Sequence, residues 1–211
     1  MLPAPTQADM RRLRRCAKYL AGTRHFVISV AGRAQWLVGH CDSDWAGDKV
    51  SRKSTSSGVV FHGKHPLESY SCNQQVIALS SGESEFYAAG KMIAHLLFLV
   101  YLLAECNHTL RARCLSDSSA ARGMLGRLGS GKVRHIQTRF LWVQEKLREK
   151  QFVLGVVPTL ENGGDIGTKN QDAESLKRLL PIAGTGPSRL RAAPERPSTA
   201  ARVKVIAALL L

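Results

Sequence analysis

Apolar and polar positions follow two rhythms along this chain. A helical period comes first: Met10, Leu13, Ala17 and Leu20 share one face of residues 9–21, and Gly22 is placed to end that helix. Short strand-like runs follow at Phe26–Val30, with Gly32 beyond it, and at Gln35–Cys41, Gly58–His62 and Leu67–Cys72, bounded by turn formers such as Gly63 and Pro66. From Ser80 the pattern turns helical again, to about Glu105. Ser80 and Glu83 have the spacing of a capping box, in which the serine accepts a backbone N–H and the glutamate reaches back. A strand at Cys114–Asp117, a helix at Ser118–Leu128 and the breaker Gly129-Ser-Gly131 come next. Ile136, Phe140, Val143 and Leu147 then predict an amphipathic helix over 134–150. A strand at Gln151–Val157, stopped by Pro158, and a short helix at Asp172–Leu180 complete the pattern. Hairpin-forming strands first and strand–helix alternation later predict a mixed α/β sheet covered by helices.

Charge changes this picture. The 211 residues carry a formal +14. Residues 111–150 hold ten Lys/Arg against three acids, a density that suits a polyanion such as nucleic acid or a solvated surface. Arg122, Arg127, Lys132, Arg134 and His135 are the candidate phosphate contacts there, with helix capping or packing as the alternative for His135. Five cysteines, odd in number and without a C-x-x-C pair, argue against a zinc site and a disulfide framework. They favour a reducing compartment, cytoplasm or nucleus, rather than secretion. No secretory h-region is visible, and the apolar stretch Ile93–Ala104 reads as a buried helix too short to span a bilayer, so no membrane partner is expected.

In so basic a chain, four acids stand out by their settings: Asp42 and Asp117 at strand ends, Glu85 in the second turn of the helix from Ser80, and Asp165 after a strand and two glycines. Sites in open α/β sheets form at the carboxyl ends of strands. Ala88 and Ala89 would let the helix sit close to the sheet and bring Glu85 to the aspartates. Converging carboxylates repel one another unless a hard cation joins them, and oxygen ligands suit Mg²⁺ or Mn²⁺. The residues by themselves thus point to a metal-dependent nuclease. Asp44, Asp48, Glu83 and Glu105 are assigned no such chemistry.

The segments carrying these acids also resemble a known family. Asp42-Ser-Asp-Trp-Ala-Gly-Asp48 followed by Arg52-Lys-Ser-Thr-Ser-Ser-Gly58 looks like the start of the ribonuclease H domain of copia-type retrotransposon Pol polyproteins. In the same order, Ala78-Leu-Ser-Ser-Gly-Glu-Ser-Glu-Phe-Tyr-Ala-Ala89, Ser116-Asp-Ser-Ser-Ala120, Val133-Arg-His-Ile136 and Val157-Pro-Thr-Leu-Glu-Asn162 with Asp165-Ile-Gly-Thr-Lys169 are similar to that family's later motifs. The similarity runs from about Asp9 to Leu180.

The resemblance implies a ribonuclease H-like fold: a five-stranded mixed sheet flanked by helices. It makes Asp42, Glu85, Asp117 and Asp165 the catalytic and metal-holding residues, with Glu83 left as a cap. It implies two Mg²⁺ ions, replaceable by Mn²⁺, and hydrolysis of the RNA strand of an RNA–DNA hybrid, the nucleic-acid partner. It divides the chain into a basic helix and strand at 1–30 resembling the polymerase–nuclease connection and the nuclease-like domain at 31–181, while Gly/Pro/Ser/Arg/Ala composition predicts a basic, disordered tail at 182–211. No Asp-Asp signature of a reverse transcriptase occurs, so a polymerase would be a separate partner. The chain departs from the pattern at Gly82 and at Gly163, Gly164 and Gly167 around Asp165, where glycines cost order. A catalytically weakened, nucleic-acid-binding remnant is the alternative reading.

Overall fold

The computed structural model of the chain describes residues 4–28, 34–136 and 138–187. Its centre is a five-stranded mixed sheet. In chain order the strands are β2 (Trp36–Asp44), β3 (Thr55–His62), β4 (His65–Asn73), β5 (Arg111–Ser116) and β6 (Phe152–Val156), preceded by α1 (Gln7–Thr23) and β1 (Phe26–Ile28). Across the sheet they run β4-β3-β2-β5-β6. β2, β3 and β4 form an antiparallel meander, whereas β5 and β6 join parallel to β2. This is the ribonuclease H-like sheet expected above. Pro66, expected to bound β4, lies within it beside an irregularity at Val60/Phe61. An edge strand tolerates that, because its outer N–H groups need no partner.

The crossover from β4 to β5 is α2 (Ser81–Glu105), capped by Ser80, whose hydroxyl accepts from Glu83 N. Among the described residues it is the one helix long and apolar enough to cross a membrane by length and composition. Here it lies on the sheet, burying Phe86, Met92, Ile93 and Leu96 among Leu37, Val60 and Cys114. The contact is close because glycine occupies the strand positions beneath it: a Cβ on Gly39 or Gly58 would collide with the Met92 side chain. Ala88 and Ala89 are fully buried on the same helix.

α3 (Ser119–Gly126) and α4 (Trp142–Arg148) pack beside α2, and α5 (Ala173–Ile182) follows a short 3-10 segment, Gly163–Gly167. The helix expected over 134–150 is shorter than its periodicity suggested. Residues 134–136 are turn, Thr138–Phe140 is 3-10, and α4 has seven residues. Ile136 and Val143 still reach the core. His135 lies in the turn before them, with its ring bonded to Glu83.

On the sheet face opposite α2, the 3-10 segment crosses β2 and β3: Gly163 lies against Phe61 and His40, Gly167 against Ser57 and Ser71. β1 pairs antiparallel with β7 (Thr185–Pro187) in a separate two-stranded sheet, so the strand expected at 26–30 and the start of the expected tail meet. Residues 29–33 and the rest of that tail, 188–211, lie outside the described residues.

Candidate metal centre

The parallel register of β2 and β5 sets His40 level with Leu115, so two residues further along each strand Asp42 and Asp117 arrive side by side. Glu85 projects toward them from the second turn of α2. One carboxylate oxygen from each of Asp42, Glu85 and Asp117 lies within 4.8 Å of the others. Asp165 completes the constellation from the 3-10 segment: its carboxyl shares a hydrogen bond with that of Asp42 and feels the charge of Asp117. All four acids singled out in the sequence therefore meet at one edge of the sheet, three in a tight group and Asp165 beside it.

Neutral donors hold these carboxylates in place. The Thr168 hydroxyl donates to Asp42 Oδ2. Ser43 N donates to Glu85 Oε1 at 3.3 Å, and the Ser43 and Ser84 hydroxyls meet at 2.9 Å. Asn162, fully buried, donates to the Cys41 carbonyl and, at 3.5 Å, to Asp117 Oδ1, while its own Oδ1 accepts from Gly164 N. His40 accepts from Gly163 N through Nδ1, and burial keeps that imidazole below its ordinary pKa and so neutral. Asn162, Thr168, Ser43 and His40 were not singled out in the sequence. The first three lay inside quoted motifs, where a polar side chain near an acid was the available signal.

The glycines around Asp165 work differently from the expectation that they cost order. A Cβ on Gly164 would stand 2.8 Å from Asp42 N, and one on Gly167 2.3 Å from Ser57 Oγ. Their absence of side chain lets the segment press against β2 and β3 and bring Asp165 to Asp42.

The electrostatics follow from crowding. Burial, then the Asp42 charge, lifts Glu85 to about 8. Burial and the same aspartate lift Asp165 to about 7, against the pull of Lys169. Asp42 is raised too, chiefly by burial, with Thr168 and Lys169 opposing. Glu85 Oε2 is buried without a hydrogen-bond partner in the protein. A carboxylate group with an orphaned buried oxygen and raised pKa values is compatible with a hard divalent cation, which would replace protons as the compensating charge.

The candidate phosphate contacts are placed unevenly. Arg122 donates through Nη1 to the Ser116 carbonyl and Arg127 through Nη2 to that of Ser130, so each guanidinium spends one of its five N–H donors on backbone. Lys132 and Arg134 are exposed. His135 Nε2 is 2.8 Å from Glu83 Oε2. Glu83, 1% exposed, also accepts from Tyr87 OH and Leu79 N, which together with His135 hold its carboxyl below the usual range against the cost of burial. It reaches back to Leu79 N rather than to Ser80 N, so the expected capping box is half realised.

Fold and site together define a ribonuclease H-like domain with an acidic centre at the carboxyl ends of its middle strands. No family model matches the chain. It is 33% identical over 102 residues to the retrovirus-related Pol polyprotein from transposon RE1 of Arabidopsis thaliana, covering 48% of this chain and 7% of that protein. It is 27% identical over 154 residues to that from transposon TNT 1-94 of Nicotiana tabacum, covering 72% and 12%. It is also 38% identical over 100 residues to secreted RxLR effector protein 161 of Plasmopara viticola, covering 46% and 68%. The chain is thus similar to retrovirus-related Pol polyproteins from transposons, and spans about a tenth of the length of the Pol relatives it matches. Among solved structures it is similar to LC11 ribonuclease H1, isolated from compost, at 14% identity and TM-score 0.44, covering 62% of this chain and 91% of that one.

Proposed function

We propose that the chain is a metal-dependent nuclease that hydrolyses the RNA strand of RNA–DNA hybrids. The observation that carries this reading is the gathering of Asp42, Glu85 and Asp117, from three separate elements, to within 4.8 Å, with Asp165 alongside. These four carboxylates would hold the cations. A pair of Mg²⁺ ions, or Mn²⁺, would supply an activated water and a counter-charge for the leaving oxygen of the phosphodiester.

The protein's own part is positioning. Thr168 fixes Asp42, Ser43 fixes Glu85, and Asn162 ties Asp117 to the 3-10 segment that carries Asp165. Lys169 offsets part of the negative charge on Asp42 and Asp165. A hybrid would be recognised through its backbone and 2′-hydroxyls rather than its sequence. Lys132 and Arg134 are the phosphate contacts the reading favours, because they are exposed, whereas Arg122, Arg127 and His135 each hold a bond within the protein.

A second reading, hybrid binding without turnover, is favoured by the position of Asp165 outside the tight group of three. One experiment separates them: a labelled hybrid incubated with the chain across a Mg²⁺ and Mn²⁺ titration. Cleavage confined to the RNA strand supports the nuclease. Salt-sensitive binding with no product at any concentration of either metal supports the remnant and removes the nuclease reading.

A further inference from the structure

α1 is amphipathic, yet none of its residues is buried. Its cations are not scattered. Arg11, Arg14 and Lys18 recur at i, i+3 and i+7, which places them on one stripe about 10 Å long, at 1.5 Å per residue. All three are exposed, and none makes a hydrogen bond or ion pair with the described residues. The helix's single acid, Asp9, is engaged with the Thr6 cap and Arg12. A stripe of like charges without partners among the described residues costs self-repulsion and gains nothing from the part of the fold described, so its complement lies outside those residues.

The position of the helix says which complement. Arg15, one residue on from Arg14, donates through Nη2 to the Gln171 carbonyl at 3.0 Å. Gln171 Nε2 in turn donates to the Asp165 carbonyl at 2.6 Å. α1 is therefore moored two hydrogen bonds from the acidic centre. Next to Gln171 in the chain, Lys169 and Asn170 line a cleft of ≈ 590 Å³ with Thr55 and Asn73, all hydrogen-bond donors, and with one acid, Asp44. Lys169 faces both Asp42 and Asp165. Lys169 and the Arg15–Gln171 bond thus set cationic groups on the Asp165 side of the acids, between the centre and α1 in the chain of contacts.

We propose that α1 is a phosphate-binding arm of this site. The Arg11, Arg14 and Lys18 stripe takes the sugar-phosphate backbone of a nucleic-acid duplex where it leaves the acidic centre across the Lys169 cleft. This track lies on the Asp165 side of the centre and is separate from the basic stretch 111–150. The proposal rests on the nuclease reading for the identity of the occupant, and its test is a binding measurement that needs no turnover.

The test compares the full chain with Arg11→Gln/Arg14→Gln/Lys18→Gln in EDTA, by fluorescence anisotropy of a labelled RNA–DNA hybrid over a series of salt concentrations. Glutamine keeps helix propensity close to that of arginine and lysine. Loss of three phosphate contacts reduces the slope of log K against log salt by about 2–3, since each contact contributes roughly 0.9. Lys64→Gln, at the hairpin turn between β3 and β4 and so at the far end of the sheet from the acids, leaves the slope unchanged. If the triple variant fails to fold by circular dichroism, Arg14→Gln and Lys18→Gln singly each reduce the slope by about 1. An unchanged slope overturns the arm, as does failure of the unaltered chain to bind hybrid. So does a triple variant that loses binding to phosphatidylserine vesicles and keeps its hybrid slope. A reduced slope in a chain that never cuts in Mg²⁺ leaves the arm standing and removes the nuclease. Normal cutting with an unchanged slope does the reverse.

Discussion

The Thr168 hydroxyl donates to Oδ2 of Asp42, 126 residues away in the chain. This one bond joins the 3-10 segment carrying Asp165 to the strand carrying Asp42. It also stabilises the charged form of a carboxyl that burial pushes toward its neutral form. Thr168→Val keeps the shape and removes the donor. The expected outcome is about a 10-fold loss of divalent-cation affinity, the lower end for a residue that orients a ligand. Isothermal titration with Mn²⁺ measures it, and an affinity equal to that of the unaltered chain would contradict the role.

Gly164 tests the close approach directly. Gly164→Ala places a methyl group 2.8 Å from the Asp42 backbone nitrogen, where backbone rather than a flexible side-chain end must yield. The change should cost about 1–3 kcal/mol in urea unfolding and weaken metal binding, because Asp165 moves with the segment. Gly123→Ala meets nothing within 4 Å, sits inside α3, and should be neutral or mildly stabilising by comparison.

The raised acids predict an unusual pH dependence. Glu85 binds its proton up to about pH 8 in the fold but releases it near 4.5 when unfolded. Asp165 behaves likewise between 3.8 and about 7. In that window the folded chain holds more protons than the unfolded one, so stability falls as pH rises from about 4 to 8. The thermal midpoint in EDTA should drop on the order of 5 °C across this range, given roughly 2–4 °C per kcal/mol for a domain of this size. Mg²⁺ should restore it at pH 8, with proton release on binding. Glu85→Gln should flatten the profile and raise the midpoint at pH 8 in EDTA. A midpoint that rises with pH in EDTA would contradict the crowded-acid account.

The sequence carried the sheet because its cues are local. β2 to β6 announce themselves by apolar runs between turn formers, and the acids by the strand ends they follow. What was illegible was non-local. The periodicity of Ile136, Phe140, Val143 and Leu147 correctly marked an inward face, yet it could not reveal that residues 134–136 form a turn in which His135 meets Glu83. Glu83 itself read as a cap, because Tyr87 lies one turn on and His135 lies 52 residues away. Gly163, Gly164 and Gly167 read as disorder because the strands they press against are a hundred residues upstream. The β1–β7 pairing had no local signature at all, since two three-residue strands that far apart are specified by their docking rather than by their own composition.

The measurement closest to the central claim is cleavage of an end-labelled RNA–DNA hybrid by the full chain and by Asp42→Asn, each across a Mg²⁺ titration. The account predicts RNA-strand products that depend on Mg²⁺, and a loss of about 100-fold or more in the variant, whose amide cannot hold the cation as a carboxylate does. Undiminished cutting by Asp42→Asn, or cutting by the unaltered chain that persists in EDTA, would contradict it.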